Sequence, residues 1–384
     1  MSSRAVELSF FWFAAGALIY VYLGYPLLVR LLAAAAGRPV RADNRHSPSV
    51  TIVITAYNEE KSIGAKIANV QDFDYPRGTL EIIVASDGST DNTDAIVKTC
   101  AFDGVRLLRV EGRVGKTACQ NAAVEQAKGE IVVFTDATTR VDRRALLTMT
   151  ANFADSDVGC VAGLLVYQAK GGGQTAAGGM SYWNYEVGLR AAESRLETLI
   201  GVSGCLYAVR RSAYRPISPN LISDFAIAMR MREQGLRTVL ESRAVCFEDT
   251  LDRCSDELKM RVRVAVRSIS ALVGEHRSLN IFRDPLFAWQ LWSHKLLRYV
   301  SPYLMLILLA ASVALAREPS YGLALLFQLA IILAGIAGFV LQEKTQRLGI
   351  LGKPYYFLLT NVASAIATVR YAAGERIVTW KPIR

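Results

Sequence analysis

The stretch IIVASDGSTDNT, residues 82–93, contains a short apolar run that ends at Asp87. The stretch IVVFTDATT, residues 131–139, repeats this pattern and brings its run to Asp136. Apolar runs with β-branched residues, bounded by Gly, Asp, Ser and Thr, predict buried β-strands. Because the carboxyl ends of parallel strands face one crevice, we expect Asp87 and Asp136 to share a ligand site.

Strand and helix patterns alternate around these two stretches. Strands are predicted at 50–55, 82–86, 105–110 and 131–135, and helices at 59–70, 93–99 and 117–127. Such alternation predicts the α/β class, with a mostly parallel sheet covered by helices on both faces.

A third acidic residue, Asp224, lies in the less regular stretch LISDFAIAMRM, residues 221–231. We expect another strand to end before it and a helix to run over 225–234. A turn residue at Asp87 and a helix cap at Asp224 are the structural alternatives to a functional role.

The composition indicates membrane segments joined to a soluble domain. The chain has 384 residues and is 52% hydrophobic, with a mean hydropathy of +0.24. Apolar stretches long enough to cross a bilayer lie at 10–36, 296–316, 321–341 and 355–373. The first is predicted to be an uncleaved anchor, with a cleaved signal peptide as the alternative.

The charge pattern predicts the orientation of the chain. Arg38, Arg41 and Arg45 follow the first apolar stretch closely, and the positive-inside rule then places the globular domain in the cytoplasm. The predicted organisation is an anchor at 1–37, a cytoplasmic domain at 38–257, amphipathic interface helices at 258–299 and a C-terminal transmembrane region at 300–384.

Two features of the C-terminal part stay open. The stretch 355–373 carries several polar residues, so it either spans the membrane or forms a re-entrant or surface helix. Residues 258–273 and 285–299 mix apolar and basic side chains, and either lie at the headgroup level or pack on the domain as ordinary helices.

Several classes of site and partner are not indicated. The six cysteines form no CxxC pair and the three histidines lie far apart, so neither a zinc site nor a disulfide framework is expected. The net charge is +10, and the basic residues are scattered or lie next to the apolar stretches. This distribution fits binding to anionic lipid and to a phosphorylated ligand. It does not indicate a nucleic-acid-binding module. The glycine-rich stretch 171–179 predicts a mobile loop.

A set of motifs resembles the inverting family 2 glycosyltransferases. The set comprises ITAYNEE (54–60), the DGSTDNT turn, GKTACQNAA (115–123), FTDATT, the Ser-Asp pair at 223–224 and the arginines 261 and 263. The membrane-bound members of that family include cellulose, chitin and hyaluronan synthases. The resemblance implies the nucleotide-sugar-binding GT-A fold with flanking transmembrane helices.

The resemblance implies a role for each matching residue. The nucleotide is expected to contact Thr55, Tyr57, Glu59, Asp87 and Lys116, with Asp87 at the edge of the base and Lys116 near phosphate. A solvated surface charge is the alternative for Lys116.

The resemblance also assigns the metal and the base. Asp136 matches the first aspartate of the Asp-x-Asp signature, which holds Mg²⁺ or Mn²⁺, while Thr138 replaces the second aspartate as a weaker ligand. Asp224 matches the catalytic base, which takes the proton of the acceptor hydroxyl.

The acceptor end departs from the family's processive members. Those synthases carry Gln-x-x-Arg-Trp, whereas this chain has Met260 and Val264 in place of the amide and the tryptophan. Arg261 and Arg263 are expected at the diphosphate. Trp183 is a candidate stacking surface for the acceptor, or else a core residue.

These observations predict a multi-pass bacterial inner-membrane enzyme with a cytoplasmic catalytic domain. We expect it to transfer sugar from a nucleotide-diphosphate donor, a UDP-sugar, to a growing cell-surface polysaccharide. Transfer of a single sugar to a lipid-linked acceptor is the alternative. A third hypothesis is a non-catalytic membrane scaffold or nucleotide sensor.

Overall fold

The computed structural model describes residues 3–100, 104–168, 175–249, 254–342 and 351–377. Within them, eight strands form one sheet. The strands are β1 Val50–Ala56, β2 Leu80–Asp87, β3 Val105–Val110, β4 Ile131–Asp136, β5 Arg140–Val141, β6 Val158–Gln168, β7 Leu206–Arg210 and β8 Arg237–Asp249.

The strand order is β3-β2-β1-β4-β7-β6-β8-β5. The first four strands in this order are mutually parallel, which confirms the prediction for this half of the sheet. The other half is mixed, because β7 runs antiparallel to both β4 and β6, and β5 runs antiparallel to β8. Hydrophobic runs indicate that a strand is buried but do not specify its direction.

The α-helices lie on both faces of the sheet and beyond its end. They are α1 Ser3–Ile19, α2 Tyr25–Ala36, α3 Ile63–Gln71, α4 Thr93–Thr99, α5 Lys116–Gln126, α6 Ala145–Ala151, α7 Thr175–Leu196, α8 Ser223–Glu233, α9 Cys254–Gly274, α10 Pro285–Leu291, α11 Leu297–Ala314, α12 Pro319–Gln342 and α13 Gly352–Ala372. Two π-helical turns, Tyr20–Gly24 and Trp292–Leu296, join α1 to α2 and α10 to α11.

The sheet has an apolar core on each face. In β1, Ile52 and Ile54 pack into the core beneath α3 and α6, whereas Val53 packs into the opposite core with α5 and α8. All seven residues of β1 are buried. Side chains alternate between the two faces of a strand, so continuous apolar runs are expected where both faces are covered.

Several element boundaries differ from those expected. The helix expected over 59–70 begins at Ile63, because residues 59–62 form a turn in which Ile63 N donates to Glu59 O at 2.8 Å. The expectation of a strand before Asp224 is wrong. β7 ends at Arg210, and irregular chain separates it from α8.

The loop expected at 171–179 is contradicted where the structure describes it, because α7 begins at Thr175. Residues 171–174 lie outside the described residues. Glycines in this stretch thus do not prevent helix formation, since tertiary context overrides weak local propensity.

Three continuous helices in the described residues are long and apolar enough to cross a membrane. They are Ser3–Ala36, Pro285–Ala314 and Pro319–Leu341. Large apolar side chains project from them, including Phe13, which is 66% exposed, and Phe327, which is 67% exposed. Such exposed apolar surface fits contact with lipid.

The helix α13, which covers the stretch 355–373, is not one of these three. Its small residues Ala363 and Ala367 are buried against Val262 and Val266 of α9. The helix α13 thus packs along α9.

The two stretches expected as interface helices differ from each other. Residues 258–273 lie within α9, and their position at the headgroup level stays a prediction. Residues 285–299 are not a separate interfacial helix, because α10 continues through the π turn into α11 and forms the single apolar helix Pro285–Ala314.

Candidate active site

A cavity of about 730 Å³ lies at the carboxyl end of β4. The strand supplies Asp136, the start of α5 supplies Lys116, and the first turn of α8 supplies Asp224. Side chains of α7, α9, the Pro285–Ala314 helix and α13 form its other walls. The cavity therefore connects the edge of the sheet with the apolar helices.

Lys116 and Asp136 form an ion pair inside this cavity. The Lys116 ammonium also donates to Gly204 O at 3.2 Å. Burial lowers the pKa of Lys116, but the Asp136 and Asp224 carboxylates outweigh this effect and leave the pKa above its ordinary value. Lys116 is therefore a positive charge held in the cavity and not a solvated surface lysine.

Asp224 lies beside this pair and faces the same cavity. Burial raises its pKa above the ordinary value of 3.8 and repulsion from Asp136 raises it further, while Lys116, Arg267 and Lys295 oppose the shift. A carboxylate of raised pKa binds a proton more readily than an exposed one, which suits a general base.

Asp224 does not cap its helix through its side chain. The residue at the N-cap of α8 is Ile222, and no side chain accepts a capping hydrogen bond there. Its position in the first turn still favours a negative charge through the helix dipole. The capping alternative is thereby set aside.

Gly204 separates the base from the lysine. A Cβ atom at Gly204 would stand 2.7 Å from Asp224 Oδ2 and 3.3 Å from Lys116 Nζ. Contacts below 3.0 Å force a shift in one of the two groups. Only glycine therefore leaves room between these two charged side chains without displacing one of them.

Asp87 lies at the expected strand end, but it is fully buried and does not line the cavity. Its carboxylate accepts from Val114 N at 2.8 Å and from Gly115 N at 3.2 Å. Gly115 has a φ of +93°, a conformation that favours glycine. Asp87 thus fixes the turn that leads into Lys116, and its contact with a base remains a prediction.

The first motif lies along the same edge of the sheet, outside the cavity lining. Thr55 Oγ1 approaches Asp136 Oδ1 at 3.4 Å. The Arg113 guanidinium lies 3.5 Å from the centre of the Tyr57 ring. Glu59 accepts from Ser62 Oγ at 2.5 Å.

The expected metal residues are only partly brought together. Asp136 faces the cavity, whereas Thr138 is exposed and does not line it. The described residues contain no group of three or more His, Cys, Asp or Glu side chains placed to hold a metal.

Glu248, at the end of β8, is a cavity residue that the sequence motifs did not reveal. Its pKa is raised by burial and then by repulsion from Asp136. Mg²⁺ is commonly held by one or two carboxylates and completed by phosphates and water. Asp136 and Glu248 fit such a cation, whose remaining ligands would come from the substrate.

Three other expected residues, Arg261, Arg263 and Trp183, do line the cavity. Arg261 forms two hydrogen bonds with Glu257 Oε1, at 3.0 and 2.9 Å, so its charge is already compensated within α9. Burial lowers the pKa of Arg263. Trp183 donates from Nε1 to Leu165 O at 2.7 Å, which orients its ring at the cavity.

A second polar group that motif matching missed lies at the end of the cavity formed by the apolar helices. His294 is 1% exposed and is held between Glu193, at 2.7 Å, and Glu186, at 2.6 Å. Tyr25 OH donates to Glu193 at 2.5 Å. The two glutamates are seven residues apart on α7, a spacing that places them on one helix face.

Lys66 was also missed, because it resembles an ordinary helix lysine in sequence. It is 3% exposed and donates to Thr135 Oγ1 at 2.8 Å and to Thr139 O at 2.6 Å. Burial lowers its pKa to about 8. It secures both sides of the turn that carries Asp136.

Comparison with known proteins agrees with this geometry. Residues 51–217 match the model of glycosyl transferase family 2. This part of the chain is a family 2 glycosyltransferase domain. The match spans β1 to β7 and includes Lys116 and Asp136, while Asp224 follows it.

Two curated relatives of the family 2 domain are enzymes of sugar transfer. An N-acetylglucosaminyltransferase of Rhizobium meliloti (strain 1021) is 28% identical over 289 residues, which are 71% of this chain and 63% of the relative. A poly-beta-1,6-N-acetyl-D-glucosamine synthase of Staphylococcus aureus (strain COL) is 27% identical over 249 residues, which are 62% and 59%. The chain thus spans about three fifths of these relatives.

A solved structure matches nearly the whole chain. The mannosyltransferase PcManGT from Pyrobaculum calidifontis, in complex with GDP-Man and Mn²⁺, superposes with a TM-score of 0.74 at 24% identity and covers 97% of this chain and 99% of its own. The likeness shows the fold and confirms the expected GT-A architecture with its apolar helices.

Proposed function

We propose that the chain is an inverting glycosyltransferase that moves a sugar from a nucleotide-diphosphate donor to a cell-surface polysaccharide. One observation carries the proposal: Lys116 paired with Asp136 and the raised-pKa Asp224 face one cavity on either side of Gly204. The names of the relatives favour N-acetylglucosamine as the transferred sugar, so the proposed UDP-sugar is UDP-N-acetylglucosamine.

The proposed reaction uses Asp224 as base. An acceptor hydroxyl attacks the anomeric carbon, its proton passes to Asp224, and the bond from that carbon to the diphosphate oxygen breaks. Attack opposite the leaving group inverts the configuration. A positioned base contributes about 10² to 10⁴ in rate.

In this proposal, cationic side chains neutralise the negative charge that develops on the departing diphosphate. Lys116 lies within the cavity and stays protonated, and Arg263 lines the same space. Fixed positive charge where negative charge develops lowers the barrier most effectively in a site that excludes water.

A divalent cation, Mg²⁺ or Mn²⁺, is proposed to bind at Asp136. Glu248 is the second carboxylate that faces it, and Thr138 is near in sequence but exposed. When bound, the cation would supply Lewis-acid neutralisation of the diphosphate.

The nucleoside is proposed to lie over the edge formed by Thr55, Tyr57, Glu59 and Asp87. The Tyr57 ring has the Arg113 guanidinium on one face. A base that stacks on Tyr57 therefore uses the other face or displaces Arg113. The Asp87 carboxylate would reach the base only with a change in the turn that it holds.

The protein is proposed to be a multi-pass protein of the bacterial inner membrane with its catalytic domain in the cytoplasm. Three apolar helices support membrane insertion. The orientation rests on Arg38, Arg41 and Arg45, which follow the first of these helices. The proposed domains are those expected from sequence, with the interface helix at 285–299 now part of a longer apolar helix.

A single transfer to a lipid-linked acceptor is the second candidate. Val264 lines the cavity and is 42% exposed, so neither it nor Met260 offers the aromatic face or amide of processive relatives. Two of the apolar helices reach the cavity, through Tyr22 and through residues 294, 295, 298 and 299, which favours an acceptor held at the membrane.

Nucleotide release and product size test the proposal together. The full-length protein in lipid nanodiscs is incubated with UDP-N-acetylglucosamine and Mg²⁺, and UDP release and product length are measured. We expect UDP release that depends on the acceptor. A polysaccharide synthase would give long sugar chains, whereas the second candidate would give a product with one added sugar. Absence of UDP release with every nucleotide sugar of a panel would contradict both.

A further inference from the structure

Two π-helical turns meet beside the cavity. The hydroxyls of Tyr20, in the turn Tyr20–Gly24, and Ser293, in the turn Trp292–Leu296, are 2.7 Å apart. Trp289 Nε1 donates to the same Tyr20 hydroxyl at 2.7 Å. Such turns are rare and occur frequently at functional sites. Here the second turn places two consecutive residues, His294 and Lys295, in the cavity lining.

His294 is held in place by Glu193 and Glu186. Because Lys295 is the next residue, its backbone is restrained as well. Lys295 Nζ lies 5.3 Å from the centre of the Phe225 ring, and Phe225 directly follows Asp224. Lys295 also contributes to lowering the pKa of Asp224. A lysine on an apolar helix is therefore held close to the proposed base.

Arg267 of α9 approaches the base from another side. It is 7% exposed and donates from Nη2 to Leu221 O at 3.1 Å. Its Nε is buried without a hydrogen-bond partner in the part of the chain that the structure describes. A buried donor that is left unsatisfied is costly and needs an acceptor.

Arg263, one helical turn before Arg267, completes a basic cluster of Arg263, Arg267 and Lys295, in which Arg263 is the member proposed above for the donor diphosphate. Burial lowers the pKa of both arginines, and Arg263 lowers that of Arg267 further. The ion pairs found among the described residues include none to Arg267 or Lys295. Both side chains act electrostatically on Asp224, and Lys295 acts on Glu186 as well. Arg267 and Lys295 thus lie near these carboxylates without forming a direct ion pair among the described residues.

Two cations without a direct ion pair in the described part of the chain, one of which has a buried unsatisfied donor, indicate a bound anion. The proposed donor diphosphate is placed at Lys116, beside Asp136 and Gly204. Arg267 and Lys295 belong to α9 and to the Pro285–Ala314 helix, which is long and apolar enough to cross a membrane. A second phosphate arriving from the membrane would meet these two side chains.

We propose that Arg267 and Lys295 bind a phosphate carried by the acceptor, which is a sugar joined through phosphate to a membrane lipid. This inference rests on the proposed transfer reaction. Of the two proposed acceptors, it favours the lipid-linked one. The acceptor sugar hydroxyl attacks the donor's anomeric carbon, its proton passes to Asp224, and the nucleotide diphosphate leaves. The lipid phosphate itself is not broken or formed.

Two matched acceptors test this proposal. The full-length protein in nanodiscs receives UDP-N-acetylglucosamine with either farnesyl-diphospho-N-acetylglucosamine or the phosphate-free farnesyl N-acetylglucosaminide. We expect transfer to the phosphate-bearing acceptor with a KM at least about tenfold lower. Equal KM values would overturn the inference while leaving the proposed function intact.

Variants of Lys295 identify which phosphate the basic cluster binds. Lys295→Gln is expected to raise the KM for the phosphate-bearing acceptor about tenfold, with the donor KM unchanged, and Lys295→Arg to restore it. Lys259→Gln, at a 71% exposed side chain of α9, serves as control. Thermal unfolding and UDP binding check that each variant folds.

Two results would overturn the assignment. If Lys295→Gln raised the donor KM and left the acceptor KM unchanged, the basic cluster would bind the donor diphosphate. A wild-type protein that released no UDP with either acceptor, and no nucleotide from any other nucleotide sugar, would contradict the proposed function. This inference would then be contradicted as well.

Discussion

Gly204 lies where the site leaves too little room for a side chain. A methyl group there would stand 2.7 Å from Asp224 Oδ2, so Gly204→Ala is expected to displace the base and lower kcat by about 10²-fold. Gly78→Ala is the matched control, because a Cβ at Gly78 meets nothing within 4 Å. Equal kcat for both variants, at unchanged melting temperature, would contradict the geometry.

Lys116 is predicted to act on the leaving group. Lys116→Met removes a cation that pairs with Asp136 and that we propose contacts the diphosphate, and we expect kcat to fall by about 10²-fold or more. Lys128→Met, at an exposed lysine, should change kcat little. Steady-state UDP release measures both, and a loss seen only in UDP affinity would count against a role in the transition state.

The pH dependence should report Asp224. The base works deprotonated, so kcat/KM falls as pH drops through its pKa, which lies above 3.8. Arg267 lowers that pKa by its positive charge. Arg267→Gln should therefore move the acid limb to higher pH, and an acid limb that stays in place or moves to lower pH would contradict the assignment.

Sequence reasoning found the residues that end a strand and missed those that reach the site from elsewhere. Asp87 and Asp136 follow recognisable apolar runs, and both lie at strand ends. Lys66 and Glu248 have no local signal, because they reach the site from α3 and from β8, and β8 lies three strands from β4 in the sheet. Thr138 was expected inside, but the turn after Asp136 directs it to solvent.

At the scale of elements, α13 packs against α9 and so helps to position the arginines that α9 carries. Ala367 is fully buried between the two helices. Ala367→Phe should overpack this contact at a cost of about 1–3 kcal/mol, and lower both melting temperature and activity. Ala372→Phe, at an exposed position of the same helix, should leave both unchanged, and equal effects would exclude a specific contact.

The prediction of elements succeeded where burial produced a clear pattern. The helix 93–99 and the strand 105–110 were predicted with the observed bounds. The pattern wrongly separated 285–299 from the apolar helix Pro285–Ala314, because basic residues within a helix resemble an interfacial segment. The structure instead buries His294 among acidic partners on α7.

At the scale of the whole molecule, the start of the first apolar helix lies beside the connection between α11 and α12. Arg4, at the start of the first helix, pairs with Glu318 between α11 and α12 at 2.7 Å, so these two points lie at the same end. We predict that Ser3→Cys and Ser320→Cys in intact cells react with an impermeant maleimide, while Ser218→Cys reacts only after lysis. Labelling of Ser218→Cys in intact cells would reverse the proposed orientation.

The central claim is that Asp224 is the base of an inverting transfer. Nuclear magnetic resonance of the newly formed linkage, made from an α-linked UDP-sugar, gives the most direct test. We predict a β-linked product from the wild-type protein and a loss of about 10² to 10⁴ in rate with Asp224→Asn, against no loss with Asp72→Asn, at an exposed carboxylate. An α-linked product, or full activity of Asp224→Asn, would contradict it.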